Sequence, residues 1–325
     1  MPQLGTGDLD GVDGERTSFA NGRIGRIGVV VHPNRPLDNA VDALTTWTRT
    51  HDAALVQVLA RGQGRVVAPA GDAAACDLLV ALGGDGTTLA ALHAAAPHDK
   101  PVLGIACGSL GALTSTSAAD LGHALDRMAA GDWRRRRLSG VGVAVDGHDP
   151  HIAINDLVVV RKGANQIIVG VYVDDELYVR FAGDGVVIAT PLGSSAYTMA
   201  AGGPILAAGT EAIVVTPVAA HGGTAPPLVV GATRSVRVKV EGGHGGARIE
   251  LDGQIVDFEP HLIQTSWCPD YATLVRFDGA EADLAGLRRR RIIADSPRVQ
   301  ARDARERATG SSGPTAGSPS PRSPA

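Results

Sequence analysis

The run Leu78-Leu79-Val80-Ala81-Leu82-Gly83-Gly84-Asp85-Gly86-Thr87 decides how this chain is read. Its first half is continuously apolar, which predicts a strand buried on both faces of a parallel sheet. The strand empties into three glycines, and Thr88 to Ala96 then has helix-forming composition. Bare glycines between a strand and a helix let backbone N–H groups approach a phosphate, and the helix N-terminus adds partial positive charge. Gly83, Gly84, Gly86 and Thr87 are therefore candidate phosphate-binding residues. Asp85 is the candidate catalytic residue, since a carboxylate there can hold Mg²⁺ or take a hydroxyl proton during phosphoryl transfer. The plainer alternative is a glycine turn with a helix-capping Asp.

Upstream, Ile27 to Val31 reads as a strand, Leu37 to Thr50 as a helix and Ala54 to Leu59 as a strand. Downstream, a strand at Val102 to Ile105, a glycine loop at Gly108 to Gly111 and a helix at Asp120 to Ala130 repeat the unit. Strand–loop–helix repetition predicts an α/β doubly wound domain over residues 23–132. After Trp133 the texture changes. Short β-branched runs at Val141 to Val145, Asp156 to Val160, Ile167 to Val173, Gly185 to Ala189, Ile213 to Thr216 and Val236 to Val240 predict a β-rich, sandwich-like domain over 133–275. Gly242 to Gly246 fits a hairpin connection. A helix within 276–295 is expected, with the option of returning to the first domain. Residues 1–22 and a tail over 300–325 read as disordered; from Gly310 to Ala325, twelve of sixteen residues are Ser, Pro or Gly.

Composition narrows the function classes. Of 325 residues, 44% are hydrophobic and 20% charged, with a net charge of −4, so no overall basic field argues for nucleic acid or an anionic membrane. The Arg134–Arg137 and Arg288–Arg291 runs read as solvated faces or helix ends. Three cysteines, Cys76, Cys107 and Cys268, form no C-x-x-C pair and suit a reducing cytosol. Neither a signal peptide nor an apolar span of membrane length is present, so a cytoplasmic protein is expected.

A second constellation lies in the β-rich half: Asp184-Gly185, then Thr190-Pro191-Leu192-Gly193-Ser194-Ser195-Ala196-Tyr197, then Ala201-Gly202-Gly203-Pro204. A hydroxyl- and glycine-rich turn plus a Tyr offers donors, acceptors and one flat face for a purine; read alone, it is equally a structural loop. The glycine loop resembles the G-G-D-G-[ST] loop shared by NAD kinases, diacylglycerol and sphingoid lipid kinases, and phosphofructokinases. The second constellation resembles the NAD kinase signature D-G … T-P-T-G-S-T-A-Y … A-G-G-P. Asn155-Asp156, Leu103-Gly104-Ile105 … Gly108-Ser109-Leu110-Gly111, Thr216-Pro217 … His221 and Asp252-Gly253-Gln254 resemble further family segments.

That resemblance implies an enzyme that transfers the ATP γ-phosphate to the 2′-hydroxyl of the adenosine ribose of NAD, with Mg²⁺ or another divalent metal brought by the nucleotide. It implies that Asn155, Asp156, Gly193, Ser194, Ser195, Ala196, Tyr197 and Gln254 bind NAD, and that Asp184 meets the nicotinamide side. It also implies a homo-oligomer, dimer or tetramer. The chain departs from the family pattern at Ala106, Ala112, Leu192 and Pro226-Pro227. Loss of a polar side chain at Ala106 or Leu192 would cost about 1–3 kcal/mol wherever it strands a buried partner. Two other readings compete: a lipid kinase sharing the loop, and a non-catalytic NAD(P)-binding regulator.

Overall fold

The computed structural model describes residues 19, 22–59, 64–145, 147–257, 259–279 and 283–310. The expected disorder of residues 1–22 and 311–325 falls almost wholly outside that set. The chain divides into a unit ending at Ala280 and a C-terminal unit beginning at Glu281.

The first unit starts with β1 (Arg26–Val31), α1 (Asp38–Thr50), β2 (Ala54–Gln57), β3 (Leu78–Gly83), α2 (Asp85–Ala95), β4 (Pro101–Ala106), the short β5 (Thr116–Ser117) and α3 (Leu121–Ala129). The parallel strands lie in the order β2, β1, β3, β4. Strand alternation explains why the apolar run of β3 must be continuous. Leu78, Val80 and Leu82 face α1 and α3, packing with Leu44, Trp47, Leu125 and Met128. Leu79 and Ala81 face α2, packing with Leu89 and Leu92. Helices on both faces make this a doubly wound sheet. The strand order reverses between β1 and β3, the point at which open α/β sheets bind ligands beyond the carboxyl ends of their strands.

The remaining strands are β6 (Arg134–Val145), β7 (His151–Ala153), β8 (Asp156–Arg161), β9 (Ile167–Val173), β10 (Glu176–Gly183), β11 (Gly185–Ala189), then a helical turn α4 (Tyr197–Ala200), β12 (Ala212–Val218), β13 (Leu228–Gly231), β14 (Val236–Glu241), β15 (Ala247–Leu251), β16 (Gln254–Val256) and β17 (Leu262–Arg276). A six-stranded antiparallel sheet runs β13-β12-β11-β8-β15-β16. It packs on the antiparallel strands β9, β14, β6 and β17 through a valine- and isoleucine-rich core. β17 joins the two halves. Its first residues pair with β14, Thr273 and Leu274 pair in parallel with β4, and a bulge between Cys268 and Ala272 marks the passage.

Two expectations are corrected here. Gly242–Gly246 does not close a hairpin, because β14 belongs to the large sheet and β15 to the six-stranded one; the glycines instead carry the chain across the sandwich. Residues 300–310, read as tail, continue α6 (Pro297–Gly310), which follows α5 (Asp283–Arg289) in the C-terminal unit. Pro at the first helical position and a run of Arg, Glu, Gln and Ala favour that helix. The Arg134–Arg137 run is the start of β6, where Arg134 pairs with Asp278 and both Arg135 and Arg137 pair with Asp99.

Candidate active site

The glycine loop sits at the sheet's reversal point. His32 N bonds to Leu82 O just beyond β1, and Cys107 N bonds to Gly83 O just beyond β4, so three strand ends converge on Gly83. Gly83 is required: a Cβ there would come within 2.7 Å of Thr87 Cβ. Thr87 itself is buried, its side chain turned back onto Gly83. Gly84 stands at the N-cap of α2 and no side chain caps that helix. Its first-turn N–H groups are thus left to a ligand or solvent.

Asp85 is the first residue of α2, and its two carboxylate oxygens accept from Ala112 N at 2.9 Å and Leu113 N at 2.8 Å. The carboxylate therefore ties the Gly83–Gly86 loop to the Gly108–Gly111 loop. Gly111 makes room for it, since a Cβ there would lie 2.6 Å from Asp85 Cγ. Each carboxylate oxygen has two lone-pair sites, so two remain for a ligand.

Arg35 is a further candidate that the motifs do not reveal, beside the glycine loops. Its exposed guanidinium lies 3.5 Å from where a Cβ on Gly84 would stand and 3.2 Å from one on Gly108. No carboxylate pairs with it among the described residues. The signal was available: Arg35 follows the turn His32-Pro33-Asn34 directly after β1, at the sheet's carboxyl edge. Cys107 adjoins the same gap, half-buried, and burial raises its thiol pKa despite the charge of Arg35, so it is a packed thiol rather than a thiolate.

The second loop assembles on Ile154–Asp156. Thr190 Oγ1 donates to Ile154 O at 2.7 Å and Thr190 N bonds to Asn155 O. A Cβ on Gly193 would lie 2.8 Å from Asn155 Cα. Ser194 is fully buried, donating to Pro191 O and accepting from Leu206 N, so its hydroxyl braces the turn from inside. Ser195 donates to Leu192 O at 3.2 Å. Ala196 and Tyr197 are exposed.

Leu192, which replaces a polar residue of the resembled pattern, packs against the apolar cluster containing Leu138 and Ile154. Ala106 is likewise buried. The expected penalty of a stranded partner at Leu192 is replaced by an apolar contact.

Asp156 begins β8 on the outer face of the six-stranded sheet and is almost fully buried. Burial first, then the charges of Asp252 and Glu250, push its carboxyl up to about 7. Asp184 accepts from Arg161 Nε at 2.6 Å. Asp184 and Tyr197 line one cavity of about 220 Å³ with Val160, Arg161, Val218, Arg248 and Glu250. Gln254 is exposed, just after the Asp252-Gly253 turn. The structure thus gathers the expected residues into two groups, the Asp85 loops and the Asn155–Gly193–Tyr197 region, with α2 running between them.

Among the described residues no cluster of three or more His, Cys, Asp or Glu side chains could hold a metal ion. No described helix is long and apolar enough to cross a membrane.

A glycine loop at the reversal point of a doubly wound sheet, together with a hydroxyl-rich turn on a β-sandwich, defines a protein of two-domain α/β plus β type. Comparison narrows the class. Residues 27–133 match the ATP-NAD kinase N-terminal domain and residues 154–267 the ATP-NAD kinase C-terminal domain. The NAD kinase of Symbiobacterium thermophilum is 36% identical over 229 residues, covering 67% of this chain and 80% of that protein. The NAD kinase of Heliobacterium modesticaldum is 39% identical over 183 residues, covering 55% of this chain but only 65% of that protein. The chain belongs to the NAD kinase family. Two solved structures share its fold: yeast NADH kinase complexed with NADH (TM-score 0.66, 20% identity, 82% of this chain and 87% of that one) and an NAD kinase from Archaeoglobus fulgidus in complex with ATP (TM-score 0.64, 24% identity, 83% and 100%).

Proposed function

We propose that this chain transfers the γ-phosphate of ATP to the 2′-hydroxyl of the adenosine ribose of NAD, giving NADP. The observation that carries this reading is the double role open to Asp85. Its carboxylate joins two glycine loops at the sheet's reversal point while keeping lone pairs for a hydroxyl proton. The uncapped start of α2 and the Arg35 guanidinium supply charge for the donor's phosphates. Asn155, Asp156, Ser195 and Tyr197 hold the adenosine half, with Gln254 at the rim and Asp184 toward the nicotinamide. Phosphoryl transfer asks for positioning and charge stabilisation more than covalent chemistry. A divalent ion such as Mg²⁺ would come with the donor's phosphates and keep most of its waters, within reach of the lone pairs that Asp85 retains beside the Ala112 and Leu113 amides. We place the enzyme in the cytoplasm, as a dimer or tetramer.

The test is NADP formation from ATP, Mg²⁺ and NAD, read through an NADP-specific dehydrogenase, with polyphosphate as alternative donor and NADH and a diacylglycerol as alternative acceptors. Steady NADP production supports the reading. NAD binding without turnover would mark a regulator, and phosphorylation of the lipid alone would mark a lipid kinase.

A further inference from the structure

Asp252 and Gly253 have φ of +50° and +75° and join β15 to β16, with Leu251 paired to Gln254. Two consecutive left-handed residues in a two-residue loop are the signature of a type I′ hairpin turn, for which Asp-Gly is a favoured pair. A turn residue of this kind commonly faces water. Asp252 does the reverse: its side chain is 4% exposed. One oxygen accepts from Asn155 N at 2.6 Å and Asp156 N at 3.1 Å. The other accepts from Ile154 N at 2.8 Å and lies 2.6 Å from His93 Nε2, which donates as the partner of a carboxylate must. Asp252 N in turn bonds to Asp156 O.

This one carboxylate thus holds three successive amides of the segment that carries Asn155 and Asp156. Thr190 holds the same segment by the Ile154 and Asn155 carbonyls, and Gly193 packs against the Asn155 backbone. His93 is the further tie. It lies on α2, eight residues after Asp85, or about 12 Å along the same helix at ~1.5 Å per residue. Its ring also stands 6.4 Å from that of Tyr271 on β17.

We infer that Asp252 and His93 are positioning residues: Asp252 sets the Ile154–Asp156 backbone that binds the acceptor, and His93 locks that backbone to the helix whose first residue is Asp85. The inference rests on the acceptor assignment made above. Donor and acceptor loops come from different domains, and this pair registers one against the other through a rigid helix. A misplacement of the order of 1 Å is enough to slow an enzyme about 10²-fold.

The variants are Asp252→Gly, which retains a residue suited to positive φ while removing the carboxylate, His93→Ala, and His93→Gln, whose amide can still donate. Hydrogen exchange at the Ile154, Asn155 and Asp156 amides reads the positioning without any need for activity. Exchange should speed at least tenfold in Asp252→Gly and measurably in His93→Ala. With ATP and NAD, both should lose tenfold or more in kcat/KM for NAD, leave the KM for ATP within twofold, and His93→Gln should recover most of the loss. Unchanged amide exchange and NAD kinetics beside a lowered Tm would overturn the inference, leaving a brace for the fold alone. Should wild-type protein neither bind NAD nor form NADP, the acceptor reading fails instead, and the exchange data still decide whether the pair sets this backbone.

Discussion

Gly193 rests its bare Cα on the backbone of Asn155, so close that any side chain would overlap the Asn155 carbonyl. The glycine is therefore the contact by which the Thr190–Tyr197 turn sets the Ile154–Asp156 segment. Gly193→Ala must push the loops apart, an overpacking that costs roughly 1–3 kcal/mol. A lowered melting temperature and at least tenfold weaker NAD binding are expected, with ATP binding held, since the phosphate loop is a separate element. Titration calorimetry with each ligand, beside a melting curve, checks all three; intact NAD affinity would show that this contact does not shape the site.

Asp85→Asn tests a residue with two jobs. The amide keeps one oxygen for the Ala112 and Leu113 amides but turns an NH₂ toward the other, leaving a donor facing a donor. The variant should therefore lose about 1–3 kcal/mol of stability as well as activity, and turnover should fall by roughly 10²–10⁴ for want of the acid–base group. Chemical denaturation and steady-state kinetics measure the two effects separately. Turnover within a few-fold of wild type would remove Asp85 from the chemistry.

Restoring a hydroxyl at position 192 should harm rather than help. Leu192 packs against the cluster of Leu138 and Ile154, so Leu192→Thr exchanges apolar contact for a hydroxyl lacking an evident partner, at a cost of about 1–3 kcal/mol. A lower Tm without a gain in kcat is expected. A faster enzyme of unchanged Tm would show that the leucine suppresses catalysis.

Asp156 gives the ligand-free protein a pH signature. An unfolded Asp titrates near 3.9, to about one unit, whereas burial and the charges of Asp252 and Glu250 push the folded group up to about 7. Between those values the folded state retains a proton that the unfolded state has released. Stability owed to this carboxyl is therefore full below the unfolded value and is lost as pH rises through about 7. The Tm of Asp156→Asn minus that of wild type should become more favourable to the variant between pH 5 and pH 8. A difference independent of pH would mean that the carboxyl does not titrate in this window.

Much of this was legible in the residues. The apolar continuity of Leu78–Leu82 and the glycines after it announced a buried parallel strand opening onto a glycine turn and a helix, because a strand buried on both faces has no polar side to show. β10 and β17 were missed for opposite reasons. Glu176–Gly183 mixes charge into an exposed edge strand, and Pro269-Asp270 inside Leu262–Arg276 reads as a turn although the strand passes through it as a bulge. The arginines of 134–137 hid the start of β6, since their partners Asp99 and Asp278 are distant in sequence. The same holds at the site. Gly83–Thr87 is a local signal, but the reach of Asp252 to Asn155 exists only once the strands are ordered.

The most direct measurement follows the phosphate itself. Purified protein is incubated with Mg²⁺, NAD and ATP labelled at the γ-phosphate, and the label is located after separation of the nucleotides. The label is expected in NADP, in an amount matching the ADP formed, with the rate cut at least 10²-fold in Asp85→Asn. Label that remains in ATP, or that leaves it only as inorganic phosphate, would contradict the account.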